Sequence, residues 1–370
     1  MIVGILKEKN GDQRVAMLPE SVQTLIGMKA EVWVESGAGD GAFASDTAYA
    51  DIQASIKSRT EILANADLII GIEGLREDDS AKNGAVLLAQ LQPLFNKEKM
   101  ATFASKGLSV FSLDAIPRTT RAQAMDVLSS QANLAGYKAV ILAAHHYPRL
   151  FPMLMTAAGT VTPAKVLILG AGVAGLQAIA TAKRLGAVVE VFDTRPAVKE
   201  EVMSLGAKFV EVEGAADASK AGGYAVEQSE EYKQKQAAKI FEHVIKSDIV
   251  ITTAQIPGRK APILVTKAML EKMKQGSVII DLAASTGGNC ELTENAKIVD
   301  FNGIKIVGNS TLPSDTSSDA SKLYGKNIIN FLKLIIDKEG NLHLNFEDDL
   351  VKGCCISHNG EIVHDGVKTN

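Results

Sequence analysis

The chain has 370 residues, too many for one ordinary hydrophobic core, so the length predicts two domains. Hydrophobic residues make up 46% and charged residues 22%, which is typical of a globular protein and not of a disordered one. The formal net charge is -4 and Lys and Arg form no cluster, which argues against nucleic acid as a partner. No secretory signal and no apolar run of about 20 residues is found, so no membrane span is expected.

The chain contains three cysteines, Cys290, Cys354 and Cys355, without metal-ligand spacing. This pattern favours a reducing, intracellular compartment, with Cys354 and Cys355 as small apolar side chains in a strand. His145 and His146 are adjacent on a predicted helix, where their side chains point about 100° apart and no third ligand is evident. We therefore predict no metal site.

The first third of the chain alternates strand-like and helix-like patterns, which is typical of an open parallel sheet. A helix is predicted over 21–28, after Pro19, and a loop over 37–41, where a glycine-rich run precedes no helical pattern. A long helix is predicted over 118–146, because small and apolar residues recur there at helical spacing. Short apolar runs predict strands at 2–6, 31–35, 68–72, 86–91 and 108–111.

The second alternating segment is more regular and predicts a complete dinucleotide-binding fold. After it, a helix is predicted over 320–336, and Asn359-Gly360 predicts a hairpin turn. Strands are predicted at 165–169, 188–192, 208–212, 248–252, 277–282 and 304–307.

Together these patterns predict an α/β protein with two doubly wound open-sheet domains, the second a six-stranded Rossmann fold inserted into the first. The expected division is 1–128 plus 318–370 for the N-terminal α/β domain, which the C-terminal segment completes. Residues 129–317 are expected to form the Rossmann domain.

The segment 170–175, GAGVAG, follows a predicted strand and opens a predicted helix, as a dinucleotide-binding turn requires. Gly170 permits the tight turn, Gly172 lets the backbone approach the pyrophosphate, and Gly175 lets the helix pack close to the sheet. Asp193 directly follows the next strand, where a carboxylate accepts hydrogen bonds from the ribose hydroxyls and repels a 2′-phosphate. Asp193 therefore favours NAD over NADP, although Arg195 is of the type that can bind a 2′-phosphate.

Two further stretches are expected beside the nucleotide. Residues 213–228 form a long segment rich in Ala, Gly and Ser, which is typical of a lid. Residues 254–258 follow the strand predicted at 248–252, at the carboxyl end of that strand, where doubly wound sheets bind ligands.

These residues resemble a known family. The segments 117–126 (PRTTRAQAMD) and 129–133 (SSQAN), with 170–185, 221–225 and 280–290, resemble the NAD(H)-binding component of proton-translocating NAD(P) transhydrogenase. The resemblance covers essentially the whole chain. It implies that Arg118, Gln123 and Asp126 contact and orient the nicotinamide.

The resemblance also implies Ser129 as a further contact, and Gln255 stands where we expect Leu in the family. Without the resemblance, Arg118, Gln123 and Asp126 would equally suit a solvated helix face with capping roles. The adenosine and pyrophosphate contacts implied by the resemblance fall on Val173, Asp193, Thr194, Arg195, Gly223, Tyr224, Gln236 and Gln255.

Alanine dehydrogenases are similar in the segments 4–8 and 14–16, but the residues for amino-acid chemistry differ. No Lys lies at 71–73, Gln92 stands where their His is expected, and Ser285 stands where their catalytic Asp is expected. Gln and Ser do not act as general bases near neutral pH. A self-sufficient amino-acid dehydrogenase is therefore the second hypothesis, and a non-catalytic NAD-binding module is the third.

The leading hypothesis is direct hydride transfer between NAD(H) on this chain and NADP(H) on a partner, which needs proximity and orientation but no proton transfer at the reacting carbon. The resemblance implies an NADP(H)-binding component, a membrane-spanning component that couples transfer to proton translocation, and a homodimer of this chain. It also implies a cytoplasmic location, peripheral on the inner membrane through these partners.

Overall fold

A computed structural model of the protein describes residues 1–9, 11–214 and 229–368. It forms two compact units, Met1–Gln131 with Pro313–Asn370, and Ala132–Leu312. Among the described residues, an eight-stranded sheet lies in the first unit and a seven-stranded sheet in the second. The predicted α/β class with two sheet domains is confirmed.

The N-terminal segment alternates short strands and helices up to a long helix. In chain order it forms β1 (Ile2–Ile5), α1 (Pro19–Gly27), β2 (Glu31–Glu35), α2 (Asp46–Ala50), β3 (Ser55–Lys57), α3 (Arg59–Asn65), β4 (Leu68–Ile70), β5 (Val86–Ala89), α4 (Lys97–Ser105), β6 (Ser109–Ser112) and α5 (Val127–His146).

The middle segment begins with a small hairpin and continues with the second sheet and its helices. Its elements are β7 (Leu154–Thr156), β8 (Gly159–Val161), β9 (Lys165–Leu169), α6 (Val173–Arg184), β10 (Val188–Phe192), α7 (Lys199–Ser204), β11 (Lys208–Phe209), α8 (Glu230–Val244), β12 (Ile249–Thr252), α9 (Lys267–Leu270), β13 (Val278–Asp281), β14 (Lys297–Phe301) and β15 (Ile304–Gly308). The C-terminal segment adds α10 (Ser317–Ile335), α11 (Asp349–Cys354), β16 (Cys355–His358) and β17 (Glu361–Ile362).

The first sheet has the strand order β17-β16-β6-β5-β4-β1-β2-β3. Its strands from β1 to β6 pair in parallel, whereas β16 pairs antiparallel with β6 and β17. Asn359 and Gly360, with φ of 51° and 82°, form the predicted turn between β16 and β17. The C-terminal segment therefore supplies two strands of the first sheet.

The helix α10 contributes to the core of the first unit. Tyr324 and Phe331 are fully buried, and Phe331 packs against Phe111 of β6 with ring centroids 5.9 Å apart. Its apolar residues form one cluster with buried side chains of β1, β2 and β4, while a second cluster covers the other face of the sheet. Residues more than 200 positions apart in sequence thus share one core.

The second sheet has the strand order β11-β10-β9-β12-β13-β15-β14. The six predicted strands are present and run parallel, with the order reversing between β9 and β12. The predicted strand count of six is wrong, because β14 pairs antiparallel with β15 at the edge. The strand predicted over 208–212 is too long, because the observed strand β11 covers only Lys208–Phe209.

The predicted helix over 118–146 is wrong in its first part. Residues Thr120–Met125 form a 3₁₀ turn, and α5 begins only at Val127. The break lies at Asp126, whose ψ of 90° is extended, not helical. Its side chain accepts a hydrogen bond from the Ser129 amide and so starts a new helix.

The residues 37–41, predicted as a loop, form a turn followed by a short 3₁₀ helix, Asp40–Ala42. The hairpin of β7 and β8 is not predicted by the sequence patterns. In the part of the chain that is described, no helix combines the length and apolar character needed to span a membrane.

Candidate dinucleotide site

The glycine turn after β9 begins with a residue in the left-handed conformation. Gly170 has φ of +110°, a left-handed conformation that favours glycine. An added Cβ at this position would lie 2.4 Å from Oγ1 of Thr253, whose hydroxyl donates to the Gly170 carbonyl at 3.1 Å. The turn is thus joined to the loop after β12, at the switch point of the sheet where doubly wound folds bind ligands.

The other two glycines of the turn differ in their surroundings. A Cβ on Gly175 would lie 1.9 Å from the carbonyl oxygen of Gly170, so only glycine permits this close packing of α6 on the turn. A Cβ on Gly172 would meet no atom within 4 Å. Gly172 therefore faces open space at the start of the helix, and internal packing does not require a glycine there.

The helix α6 presents its N-terminus at this open space. Its first residue, Val173, is 37% exposed, and Gly172 precedes it in an extended conformation. The main-chain N–H groups of a first helical turn have no partners within the helix, and the helix dipole places partial positive charge there. The residues present therefore fit a pyrophosphate.

Asp193 is buried beside the turn at the end of β10, with 9% of its surface exposed. Its Oδ2 accepts a 2.7 Å hydrogen bond from the Ala171 amide within the glycine turn. Its carboxylate also accepts two bonds from the guanidinium of Arg195, at 2.9 Å and 2.8 Å. The hydrogen bonds to Asp193 raise the pKa of Arg195. The structure thus brings Asp193, Arg195 and the turn together.

The loop after β12 is fixed by Asn289, a residue that the sequence patterns did not indicate. Its Oδ1 accepts from the Ala254 amide at 3.0 Å, and its Nδ2 donates to the Ala254 and Pro262 carbonyls at 2.8 Å each. The side chain of Gln255 is exposed and donates to the Leu282 carbonyl at 3.1 Å. The conformation of the loop that carries Gln255 therefore depends on one buried amide.

Asp281, the last residue of β13, determines where Asn289 lies. It is fully buried and accepts from the amides of Asn289 and Cys290 at 2.7 Å and 3.0 Å, and from the Thr293 hydroxyl at 2.7 Å. The sequence signal for this network is an acidic residue at the end of an apolar strand, followed by the Gly-rich segment 287–289.

In the first unit, the predicted residues Gln123 and Asp126 lie on or next to the 3₁₀ turn Thr120–Met125. The side chains of Arg118 and Gln123 are exposed. Asp126 is half-buried, and its two carboxylate oxygens accept from the amide and the hydroxyl of Ser129 at 2.9 Å and 2.6 Å. Asp126 and Ser129 are therefore brought together by a helix cap.

Two of the remaining predicted contacts, Thr194 and Gln236, lie in the second unit. Thr194 is half-buried beside Asp193, and Gln236 is partly buried on α8. Gly223 and Tyr224, and the predicted lid over 213–228 apart from its first two residues, lie outside the described residues. Across the described ranges, no group of three His, Cys, Asp or Glu side chains is placed to bind a metal ion.

Comparison with known proteins identifies the family. Residues 4–135 match the model for the N-terminal domain of alanine dehydrogenase/PNT, and residues 139–365 match the model for its C-terminal domain. The chain belongs to the alanine dehydrogenase/PNT family. The family predicted from the sequence is thereby confirmed.

Among its relatives, the chain is 49% identical over 376 residues to the first part of NAD(P) transhydrogenase subunit alpha of Rhodospirillum rubrum, with 98% of each chain covered. It is 43% identical to NAD(P) transhydrogenase subunit alpha of Haemophilus influenzae, covering 98% of this chain and 71% of that protein. The solved structure of a transhydrogenase from Sinorhizobium meliloti superposes with a TM-score of 0.88 at 47% identity, over 98% of this chain and 100% of that one.

The alanine dehydrogenase branch is more distant. Alanine dehydrogenase 2 of Staphylococcus aureus is 31% identical over 301 residues, covering 80% of this chain and 75% of that protein. At the positions where amino-acid chemistry would need other residues, Glu73 forms an ion pair with Lys9 at 3.1 Å, and the main-chain N–H of Gln92 donates to the Asp114 carboxylate at 2.9 Å. Ser285 is exposed.

Proposed function

We propose that this chain is the NAD(H)-binding component of an NAD(P) transhydrogenase, with Ala132–Leu312 as its nucleotide-binding unit. The observation that carries the proposal is the arrangement at the carboxyl end of the second sheet. There the buried carboxylate of Asp193 bonds to the glycine turn, and Gly172 leaves the N-terminus of α6 open. The near full-length likeness to transhydrogenase alpha chains supports it.

In this proposal each part of the turn has a separate task. The amides at the start of α6 bind the pyrophosphate, since the helix dipole stabilises negative charge. Asp193 accepts from the adenosine ribose, and Thr194, Gln236 and Gln255 are further contacts. Arg195 lies beside the ribose as the ion-pair partner of Asp193. Gly223 and Tyr224 are proposed from the resemblance alone. Bound NAD(H) supplies the hydride or accepts it.

We further propose that Arg118, Gln123 and Asp126, with Ser129, orient the nicotinamide. Two observations favour this role. Gln123 presents its polar side chain to solvent from the 3₁₀ turn, and the exposed Arg118 lies just before that turn. The Asp126 carboxylate is held in one orientation by Ser129. Orientation is what a hydride transfer between two rings requires, because no acid or base acts at the reacting carbon.

The partner in this proposal is an NADP(H)-binding component, with a membrane-spanning component that couples the transfer to proton translocation. The names of the relatives, which are alpha subunits, support the need for further subunits. We also propose a homodimer, located at the cytoplasmic side of the inner membrane through these partners.

The test is direct hydride transfer between nucleotides. The chain is mixed with an NADP(H)-binding component, NADH deuterated at C4 and NADP, and deuterium in the NADPH formed is measured. We expect deuterium in the product without exchange with solvent. With both nucleotides bound, no transfer would contradict the proposal. Oxidation of NADH with pyruvate and ammonium by the chain alone would favour an amino-acid dehydrogenase, and binding without any redox activity would favour a binding module.

A further inference from the structure

The acceptor positions of the Asp193 carboxylate are all in use. Its Oδ1 accepts from the main-chain amide and from Nε of Arg195, at 2.8 Å and 2.9 Å. Its Oδ2 accepts from the Ala171 amide and from Nη2 of Arg195, at 2.7 Å and 2.8 Å. A carboxylate offers about four lone-pair positions, so these four donors saturate it.

This saturation conflicts with the part assigned to Asp193 in the proposed function. A ribose hydroxyl can donate to the carboxylate only if one of the four existing donors leaves. The two main-chain amides belong to the glycine turn and to the backbone at Arg195, and both are fixed by the fold. The guanidinium is the one donor group on a flexible side chain, so it is the group that leaves.

The displaced guanidinium would stay close to the ribose. The backbone of Arg195 is bonded to Asp193 through its amide, and Pro196 follows it at the start of a short 3₁₀ helix. The charge therefore moves only by rotation of the side chain. A guanidinium presents parallel N–H donors that match two oxygens of a negatively charged phosphate. A ribose hydroxyl is neutral, so it forms no ion pair with the guanidinium.

We propose that Arg195 is the specificity-determining residue of this site. Its guanidinium competes with the ribose for the Asp193 carboxylate, and it forms a latent site for a 2′-phosphate. This inference rests on the proposed NAD(H) function. The negative charge of Asp193 repels a 2′-phosphate and pairs with the guanidinium. Selectivity for NAD(H) over NADP(H) is thus set by the ion pair and not by Asp193 alone.

The test uses three variants of the whole chain, D193N, R195A and the double variant, and measures NADH and NADPH affinity by nicotinamide fluorescence. In D193N we expect NADPH to bind roughly tenfold more tightly than in wild type, because the guanidinium pairs with phosphate instead of carboxylate. In R195A we expect NADH to bind a few-fold more tightly and NADPH more weakly. In the double variant the NADPH gain of D193N should disappear, since the two substitutions are coupled.

Several outcomes would overturn the inference. If the NADPH gain persists in the double variant, removal of the negative charge explains it without Arg195. If R195A binds NADH more weakly, the guanidinium assists the ribose and does not compete with it. Loss of folding would lower both affinities, so it cannot imitate the opposite changes expected. If wild type fails to bind NADH, the proposed function itself fails, whereas normal NADH binding with unchanged selectivity in the variants overturns this inference alone.

The conservative variant R195K gives a matched control. Lysine keeps the positive charge but lacks the parallel donors. We expect D193N/R195K to bind NADPH less tightly than D193N and more tightly than D193N/R195A. Equal NADPH affinity of D193N/R195K and D193N/R195A would overturn the part of the inference that assigns a phosphate site to the guanidinium.

Discussion

The side-chain amide of Asn327 on α10 donates a 2.9 Å hydrogen bond to the main-chain carbonyl of Ala124, 203 residues earlier in the chain. Asn330, one helical turn further on, donates to the same oxygen at 3.1 Å. Ala124 lies between Gln123 and Met125 in the 3₁₀ turn. Two asparagines of the C-terminal segment therefore position the turn that carries a proposed nicotinamide contact.

We predict that the double variant N327A/N330A weakens NADH binding but leaves ADP-ribose binding unchanged. The Ala124 carbonyl would lose both side-chain donors, at a cost of about 1–3 kcal/mol in unfolding free energy, and the turn would no longer be held in place. ADP-ribose lacks the nicotinamide, so its affinity reports only the remainder of the site. Titration of both ligands and urea unfolding check this.

The control for this variant is Lys326→Ala, on the exposed side of the same helix. It should change neither affinity. If N327A/N330A lowers NADH and ADP-ribose affinity equally, the asparagines act on the stability of the fold and do not position the turn.

The glycines at 172 and 175 give a second, paired prediction. G175A places Cβ 1.9 Å from the Gly170 carbonyl oxygen, so we expect a loss of about 1–3 kcal/mol or more in unfolding free energy. G172A meets no atom within 4 Å, so the fold should lose no more than about 1 kcal/mol through the poorer helix cap. Its methyl group nevertheless enters the space proposed for the pyrophosphate, so NADH and ADP-ribose should both bind far more weakly.

Thermal unfolding and ligand titration distinguish the two glycine variants. Full NADH affinity in a well-folded G172A variant would mean that the pyrophosphate does not bind at the start of α6.

The cap of α5 provides a third prediction, because Asp126 has both a structural contact and a proposed functional one. Asparagine caps helices about as well as aspartate, whereas alanine costs about 1 kcal/mol. We therefore expect D126A to lower both the unfolding free energy and the hydride-transfer rate, and D126N to lower only the rate. Wild-type transfer by D126N would show that Asp126 is a cap and nothing more.

Glu8 in the first unit predicts how stability depends on pH. It is 5% exposed, and burial raises the pKa of its carboxyl from 4.5 to about 7, although the Ile72 and Glu73 amides donate to it. Between these pH values the folded chain binds more protons than the unfolded chain. Stability should therefore fall as pH rises from 4.5 to about 7, by about 3 kcal/mol in total.

The measurement is urea unfolding of wild type and E8Q at both ends of this range. Glutamine does not titrate, so E8Q should gain stability relative to wild type as pH rises. Exposed Glu20 gives the control variant, E20Q, which should follow wild type. A pH-independent difference between E8Q and wild type would contradict a raised pKa for Glu8.

Sequence patterns predicted the strands that are buried on both faces. The strands β9, β12 and β13 carry continuous apolar runs bounded by polar residues, which is the signature of a central parallel strand. The edge strands gave no such signal. In β14 most side chains are exposed, and in β3 all are half-buried, so neither forms an apolar run.

Within the site, sequence spacing was sufficient for the glycine turn and Asp193, because local geometry determines where they lie. It was not sufficient for Asn289 or Asn327, which act through carbonyl groups far away in sequence. Nor could spacing show that Arg195 saturates Asp193, since that depends on side-chain orientation. The start of α5 was placed too early because the 3₁₀ turn buries Ala122 and Met125 at nearly helical spacing.

The strand order of the first sheet also has a consequence for synthesis on the ribosome. Strand β6 acquires its neighbour β16 only after the intervening 240 or so residues have been translated, at about 5–20 residues per second. The residues Ala132–Leu312 emerge as one uninterrupted stretch and can fold during that interval. Until α10 emerges, the first unit exposes apolar surface that Tyr324 and Phe331 later cover. The first unit is thus the part of the chain whose core is completed last during synthesis.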